Sequence, residues 1–274
     1  MSGDAVQVDD RVLELLECFR QMTRAHLHRA GLNANPDHLG ERLRLLERRK
    51  LIHCTRPGVN FGKVPYVYSL AASGAEYLAS RWKSDRERLN YYRQAPTISA
   101  SQFTHRSWCV TAHIEATKRW GDALLVWLPE YGAARSSTRA PTSLHLAHGR
   151  FVRPDALFAI DHGPKGRMAY ALEVHNSTGA QMARLVDQIE SHRQAQGLRL
   201  ASKALSLGAD YARKRDFVTL VLVPDDATRK NLWARLLQHE SRESFVGSRN
   251  WFCCKTFGEL DDGFSDWHAM PEAL

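Results

Sequence analysis

Two apolar runs, RPDALFAI (153–160) and MAYALEVH (168–175), flank the turn-rich DHGPKG. Their length and their Gly/Pro-bearing join predict an antiparallel hairpin. Strand residues two apart face the same side, so Tyr170, Leu172 and Val174 share one face. Ala169, Ala171, Glu173 and His175 share the other. With the turn centred near Pro164, Asp155 falls opposite Glu173, and opposed Cβ atoms in such a pair lie ~4.5–5.5 Å apart. Two carboxylates that close repel unless a cation sits between them. A divalent ion such as Mg²⁺ or Mn²⁺, which takes carboxylate oxygens and water, fits that demand. A solvated sheet face with alternating polar residues would carry the same letters.

The rest of the chain limits the choice. Its 274 residues suffice for one large domain or two ordinary ones. No apolar run approaches the ~18–20 residues of a membrane span. The polar, acidic opening MSGDAVQVDD lacks the order of a signal peptide, so a cytoplasmic location without membrane attachment is expected. A net charge of +8 favours an acidic partner, of which nucleic acid is the commonest. The five scattered cysteines contain no C-x-x-C pair and read as reduced structural thiols.

Up to about Leu78 the pattern is three helices and a hairpin. VLELLECFR carries Val12, Leu15, Leu16 and Phe19 at helical spacing, with Asp9 or Asp10 as its cap. Thr23 can cap a second helix, and Asn35–Pro36 starts a third, PDHLGERLRLLERRK. The third turns Leu39, Leu43 and Leu46 inward, while Arg42, Arg44, Arg48, Arg49 and Lys50 crowd the remaining surface. Two short strands follow around a tip that carries Arg56, Asn60 and Lys63. The wording LRLLERRKLI, a wing, then YSLAASGAEYL resembles the bacterial winged helix-turn-helix pattern. That resemblance implies double-stranded DNA as partner, with the third helix in the major groove and the tip on phosphates. A winged helix used for protein docking is the alternative. Residues 81–96 read as a charged helical run closed by Pro96, a joint between domains.

Beyond it come an amphipathic helix (HRSWCVTAHIEATKRW), the strand ALLVWLPE, the two hairpin strands and one helix from about 179 to 207. Then follow the strand FVTLVLVP, a helix capped by Asp225 or Asp226, and the strand NWFCCKTF. The αβββαβ order resembles the core of the PD-(D/E)XK nucleases. RPDALFAI matches their first half-motif, and ALEVH the second, with His175 where the family has lysine. The resemblance implies Asp155 and Glu173 as metal ligands and His175 in the water-activating place, together the catalytic set. Glu130 or Glu115 could supply a further carboxylate. Histidine lacks lysine's persistent charge, so the site is either altered in chemistry or retained only for binding.

A winged helix followed by HRSWCVTAHIEA and then VRPDALFAI…YALEVHNSTG also resembles the replication-relaxation proteins of plasmids and mobile elements. The expected architecture is α/β (α+β overall): a winged helix-turn-helix over 1–80, a helical linker over 81–100 and a PD-(D/E)XK nuclease-like domain with a central mixed sheet over 101–274. The expected function is DNA binding in replication, relaxation or mobilisation of such an element. A Mg²⁺/Mn²⁺-dependent endonuclease or nickase, and a transcriptional regulator with a dimerising or ligand-binding second domain, stand beside it. A homodimer would suit paired half-sites.

Other signals carry less. His26-Leu27-His28 spells a rolling-circle nuclease triplet, but in a helix its histidines diverge by ~200°. Tyr91 and Tyr92, His145 and His148, and His105 and His113 read as packing or surface residues. The absence of G-x-x-x-x-G-K-[ST] indicates no nucleotide cofactor.

Overall fold

The computed structural model describes residues 3–32, 35–58, 64–130, 142–146, 150–176, 181–196, 198–207, 217–239 and 251–269. Contacts divide the chain into two units, Met1–Ile114 and a second made of Glu115–Tyr131 with Thr138–Leu274. Among the described residues no helix is long and apolar enough to cross a membrane.

The first unit runs α1 (Gly3–Phe19), α2 (Arg24–Arg29), α3 (Pro36–Arg48), β1 (Ile52–Thr55), β2 (Val67–Leu70) and α4 (Ala72–Trp82). Thr23 caps α2 in a reciprocal box with His26, and Asn35 caps α3 by accepting from the Asp37 N–H at 2.9 Å. Leu39, Leu43 and Leu46 of α3 are buried, as are Val12, Leu16 and Phe19 of α1. Each such side chain contributes roughly 1.5–3 kcal/mol. β1 and β2 pair antiparallel from Ile52↔Leu70 to Thr55↔Val67. The turn before α2 adds a bridge, with Met22 and Tyr68 exchanging N–H···O bonds of 2.9 and 2.8 Å. Gly74 is needed where α4 meets this hairpin, since a Cβ there would lie 2.1 Å from the Leu51 carbonyl oxygen.

Two sequence expectations change here. α1 begins at Gly3, so Asp9 and Asp10 are interior helical residues rather than caps. The charged run 81–96 is not a continuous helix. Lys83 ends α4 in the left-handed region (φ 51°), and a single 3₁₀ turn follows at Arg86–Arg88. Tyr91 and Tyr92 are buried, Tyr92 bridges to Ala71, and its hydroxyl accepts from Gln21 Nε2 at 2.9 Å. Residues 86–99 therefore belong to the first unit, and the boundary falls inside α5 (Ala100–Trp120). Local charge had hidden the two tyrosines that anchor the segment.

The second unit is built on a six-stranded mixed sheet. Its strands are β3 (Leu124–Pro129), β6 (Ala156–Asp161), β7 (Arg167–Val174), β8 (Phe217–Val223), β9 (Phe252–Thr256) and β10 (His268–Ala269). Their order is β10-β9-β8-β7-β6-β3. β3, β6 and β7 form an antiparallel meander, and β8 runs parallel to β7. The crossover between β7 and β8 carries α6 (Met182–Ala195) and α7 (Leu200–Ala204). The single helix expected over 179–207 is thus two, because Arg199 takes a left-handed conformation (φ 52°) before α7. β4 (Leu144–His145) and β5 (Phe151–Val152) form a separate small ladder. α8 (Asp226–Gln238), capped by Asp225, and α9 (Phe257–Asp261) complete the unit.

The two sheet faces differ in bulk. On one, Leu157, Ala159, Ala169, Ala171 and Phe217 meet Ala195 and Ala201 of the crossover helices. The alanines let those helices approach closely. Phe158 instead stacks between Trp127 and Tyr170 at 4.5 and 5.0 Å, each pair adding about 0.5–1.5 kcal/mol beyond burial. Met182, Leu185, Val186 and Ile189 of α6 join Val221 and Val223 of β8 and Leu232 and Leu236 of α8.

Candidate functional site

The hairpin turn fixes the register. Asp161 Oδ1 accepts from the Gly163 N–H at 2.8 Å, and Gly163 and Gly166 supply the positive φ angles (62° and 78°). Pairing then runs unbroken from Asp161↔Arg167 to Ala156↔Leu172. One step further, that register sets Asp155 opposite Glu173, the cross-strand pair expected from the sequence.

Asp155 is held from several sides. Its N–H donates to the Leu172 carbonyl at 2.9 Å, its carbonyl accepts from the Glu130 N–H at 2.8 Å, and its Oδ2 accepts from the Val174 N–H at 2.7 Å. Glu173 is 4 % exposed, and its Oε1 lies 2.6 Å from His192 Nε2. Burial pushes the Glu173 carboxyl well above its usual range, and the charges of Asp155 and then Glu130 push it the same way. The Arg184 charge, from the first turn of α6, opposes them.

His175 is also buried, and its N–H donates to the Leu222 carbonyl at 2.8 Å, extending the β7–β8 pairing past Val174. Strand alternation keeps it on the Glu173 side. Of the two extra carboxylates, Glu130 bears on Glu173 and is paired with Arg153 at 2.8 Å. Glu115 is buried and takes Lys118 at 3.0 Å.

His192 was missed by the sequence reading. It occupies α6 within the stripe Met182, Leu185, Ile189, His192, Gln196 and is fully buried. Burial holds it neutral, its pKa lowered to about 3. A polar pair on an otherwise apolar helical stripe was the available signal.

The basic residues of the first unit separate into two groups. Arg42 faces inward: its Nε donates to Asp9 Oδ1 at 2.8 Å, its Nη2 pairs with Oδ2, and only 12 % of its side chain is exposed. Arg49 lies 3.7 Å from the same carboxylate. Asp10 pairs with Arg81 and accepts from the Tyr77 hydroxyl at 2.7 Å. Arg44, Arg48, Lys50 and Arg56 are exposed. A groove of about 610 Å³ between α2, α3 and the β1–β2 hairpin is lined by Arg24, Arg44, Arg56, Tyr66 and Glu47. Asn60, Lys63 and His148 lie outside the described residues.

Two further histidines, His26 and His113, are held in the packing of the first unit. His26 Nδ1 accepts from the Thr23 N–H at 3.2 Å, as part of a helix cap. His113 packs edge-on against Phe19 at 4.6 Å. Both are desolvated, with pKa values lowered to about 4 and about 3.

Comparison with known proteins gives one family. Neither the curated proteins nor the solved structures contain a match to this chain. The model of the replication-relaxation family matches residues 13–203, well over half of the chain and inclusive of Asp155, Glu173 and His192. The chain belongs to the replication-relaxation family.

Proposed function

We propose that the chain is a double-stranded-DNA-binding protein of a plasmid or other mobile element, acting in its replication, relaxation or mobilisation. The observation that carries this reading is the exposed basic rim of α3. Arg44 and Arg48 project from the helix whose leucines are buried, and Arg44 and Arg56 line the groove beside the hairpin. Three helices, a two-stranded hairpin and a bridging turn support a winged helix-turn-helix, in which α3 enters the major groove. Arg42 is excluded from the DNA surface because Asp9 holds it. A cytoplasmic location and a homodimer on paired half-sites go with the same reading. The test is duplex binding measured against salt concentration. Arg44→Ala with Arg48→Ala should lower the salt slope by about two, roughly one per lost phosphate contact. An unchanged slope would overturn it.

The Asp155–Glu173 pair favours a second reading of the second unit, as a PD-(D/E)XK nuclease-like module that cuts or nicks DNA. The β3-β6-β7-β8 order and the cross-strand carboxylates support it. The donor set suits a hard divalent cation: Glu173, raised by its burial and then by the charge of the buried Asp155, would be relieved by Mg²⁺ or Mn²⁺. Asp155 and Glu173 would hold the ion, which when bound would polarise the phosphate and lower the pKa of a coordinated water. His175 would accept a proton from the attacking water, and Arg184 brings the cationic charge that histidine does not keep at neutral pH. Supercoiled plasmid with Mn²⁺ tests this: nicking by wild type that Glu173→Ala abolishes is expected, and no cutting with Mg²⁺ or Mn²⁺ would contradict it. Operator binding indifferent to Asp155→Asn would instead indicate a regulator.

A further inference from the structure

We infer that the groove between α2, α3 and the β1–β2 hairpin seats one unpaired nucleotide of a bound DNA strand, with its base stacked on Tyr66 and its flanking phosphates held by Arg24, Arg44 and Arg56. The inference rests on the DNA-binding reading of the first unit and adds to it the form of DNA that this unit prefers.

The hairpin places the parts. β1 and β2 pair as far as Thr55↔Val67, and one step further Arg56 stands opposite Tyr66. Strand alternation puts both on the side of Cys54 and Tyr68, and all four line the groove. Arg24 is the first residue of α2, and its guanidinium lies against α3 at Gly40, where an added Cβ would meet Nη1, Cζ and Nη2 at 3.6 to 3.9 Å. Arg44 comes from the middle of α3. Three guanidiniums thus reach one concavity from α2, α3 and the end of β1, so the charge belongs to the tertiary structure rather than to one helix face.

Tyr66 decides the class of ligand. Its surface is 50 % exposed, in a groove otherwise rimmed by arginines. An intact duplex keeps its base faces stacked and has none to offer this ring. An open ring among cations is the combination that holds unpaired nucleotides: the face stacks a base, and the cations take the backbone on either side. The groove's volume of about 610 Å³ falls within the ~300–1,000 Å³ of small-ligand sites.

Glu47 sets the polarity within the groove. Burial and then the charge of Glu47 push the Cys54 thiol up to about 11, so this carboxylate bears on the hairpin floor. There it repels phosphate and can accept from an exocyclic amino group such as that of cytosine. The base edge therefore faces Glu47, and the phosphates face the arginines. An acidic protein segment would satisfy the arginines but be opposed by the carboxylate.

The test is fluorescence anisotropy of the full chain with two duplexes of one sequence, one intact and one carrying a single unpaired dC. The second should bind at least ~5-fold tighter, the smaller end of what one stacked base contributes. Tyr66→Phe keeps the ring and should retain the preference, whereas Tyr66→Ala should reduce it below ~2-fold. Wild type that binds the two duplexes equally, or a preference that survives in Tyr66→Ala, would overturn the inference and leave the DNA-binding reading standing. Binding to neither duplex would refute both. An unpaired dT should bind ~3-fold more weakly than dC, since thymine carries a carbonyl where cytosine has its amino group, and Glu47→Gln should remove that difference. Equal binding of dC and dT by wild type would contradict the placing of the base edge. Free dCMP that competes as well as unlabelled bulged duplex would overturn the strand-borne nucleotide in favour of a free one.

Discussion

Both units bury acidic side chains, and they treat them in opposite ways. In the first, Asp9 and Asp10 of α1 each meet an arginine, Arg42 from α3 and Arg81 from α4. These pairs tie three helices together, and the opposite charge offsets the cost of burial. In the second unit, Asp155 and Glu173 are set against each other, and Glu173 receives a neutral imidazole rather than a guanidinium. Burial and the neighbouring carboxylates raise its pKa instead of lowering it. The first arrangement stabilises a fold. The second destabilises it locally wherever Glu173 is ionised, since its folded pKa is raised.

Acid has the largest expected effect and reaches both units, since His192 of the second also has its pKa lowered to about 3. His26 and His113 of the first unit have folded pKa values of about 4 and about 3, below the 6.5 of a free histidine. The unfolded chain therefore binds more protons in that window, so their stability contribution is present above pH 6.5 and is lost as pH falls towards 4. Loss of several kcal/mol is expected, read by urea unfolding with hydrogen exchange assigned to each unit. His113→Phe should flatten the first unit's dependence.

Next in size is Arg42→Ala, which leaves Asp9 buried with only the longer contact to Arg49. A loss of about 3 kcal/mol is expected in the first unit, measured by urea unfolding. Glu173→Gln should do the reverse and stabilise the metal-free second unit at pH 8 by about 1 kcal/mol. Its sign follows from the raised folded pKa: the stability due to Glu173 is full below the unfolded value near 4.5 and is lost as pH rises through the folded one. The gain should therefore shrink towards pH 5, and a gain independent of pH would separate Glu173 from this explanation. Smallest is Arg48→Ala alone. It should leave stability within ~0.5 kcal/mol, since Arg48 is exposed, and reduce duplex affinity by its share of the salt slope, checked by fluorescence anisotropy.

What could be read from the chain beforehand follows the same division. The hairpin was legible because strand alternation and one turn fix every pairing, so Asp155 and Glu173 could be matched from sequence spacing alone. Caps at Thr23, Asn35 and Asp225 were legible because their partners lie within three residues. The partners of Asp9 and Asp10 lie 33 and 71 residues away, so a helix cap was the nearer explanation. His192 meets Glu173 only through the crossover that lays α6 over β7. Arg199 interrupts the expected long helix through a backbone angle that its side chain does not announce.

On the nuclease-like reading proposed for the second unit, Asp155 and Glu173 are opposed in order to share a divalent cation. The direct measurement is the unfolding transition of the second unit with and without Mn²⁺, in wild type and Glu173→Ala. Stabilisation of wild type by RT ln(1 + [Mn²⁺]/Kd), ~2.7 kcal/mol at a hundredfold excess over Kd and absent in the variant, is the predicted result. A wild-type transition that does not move, or one that moves equally in Glu173→Ala, would contradict it.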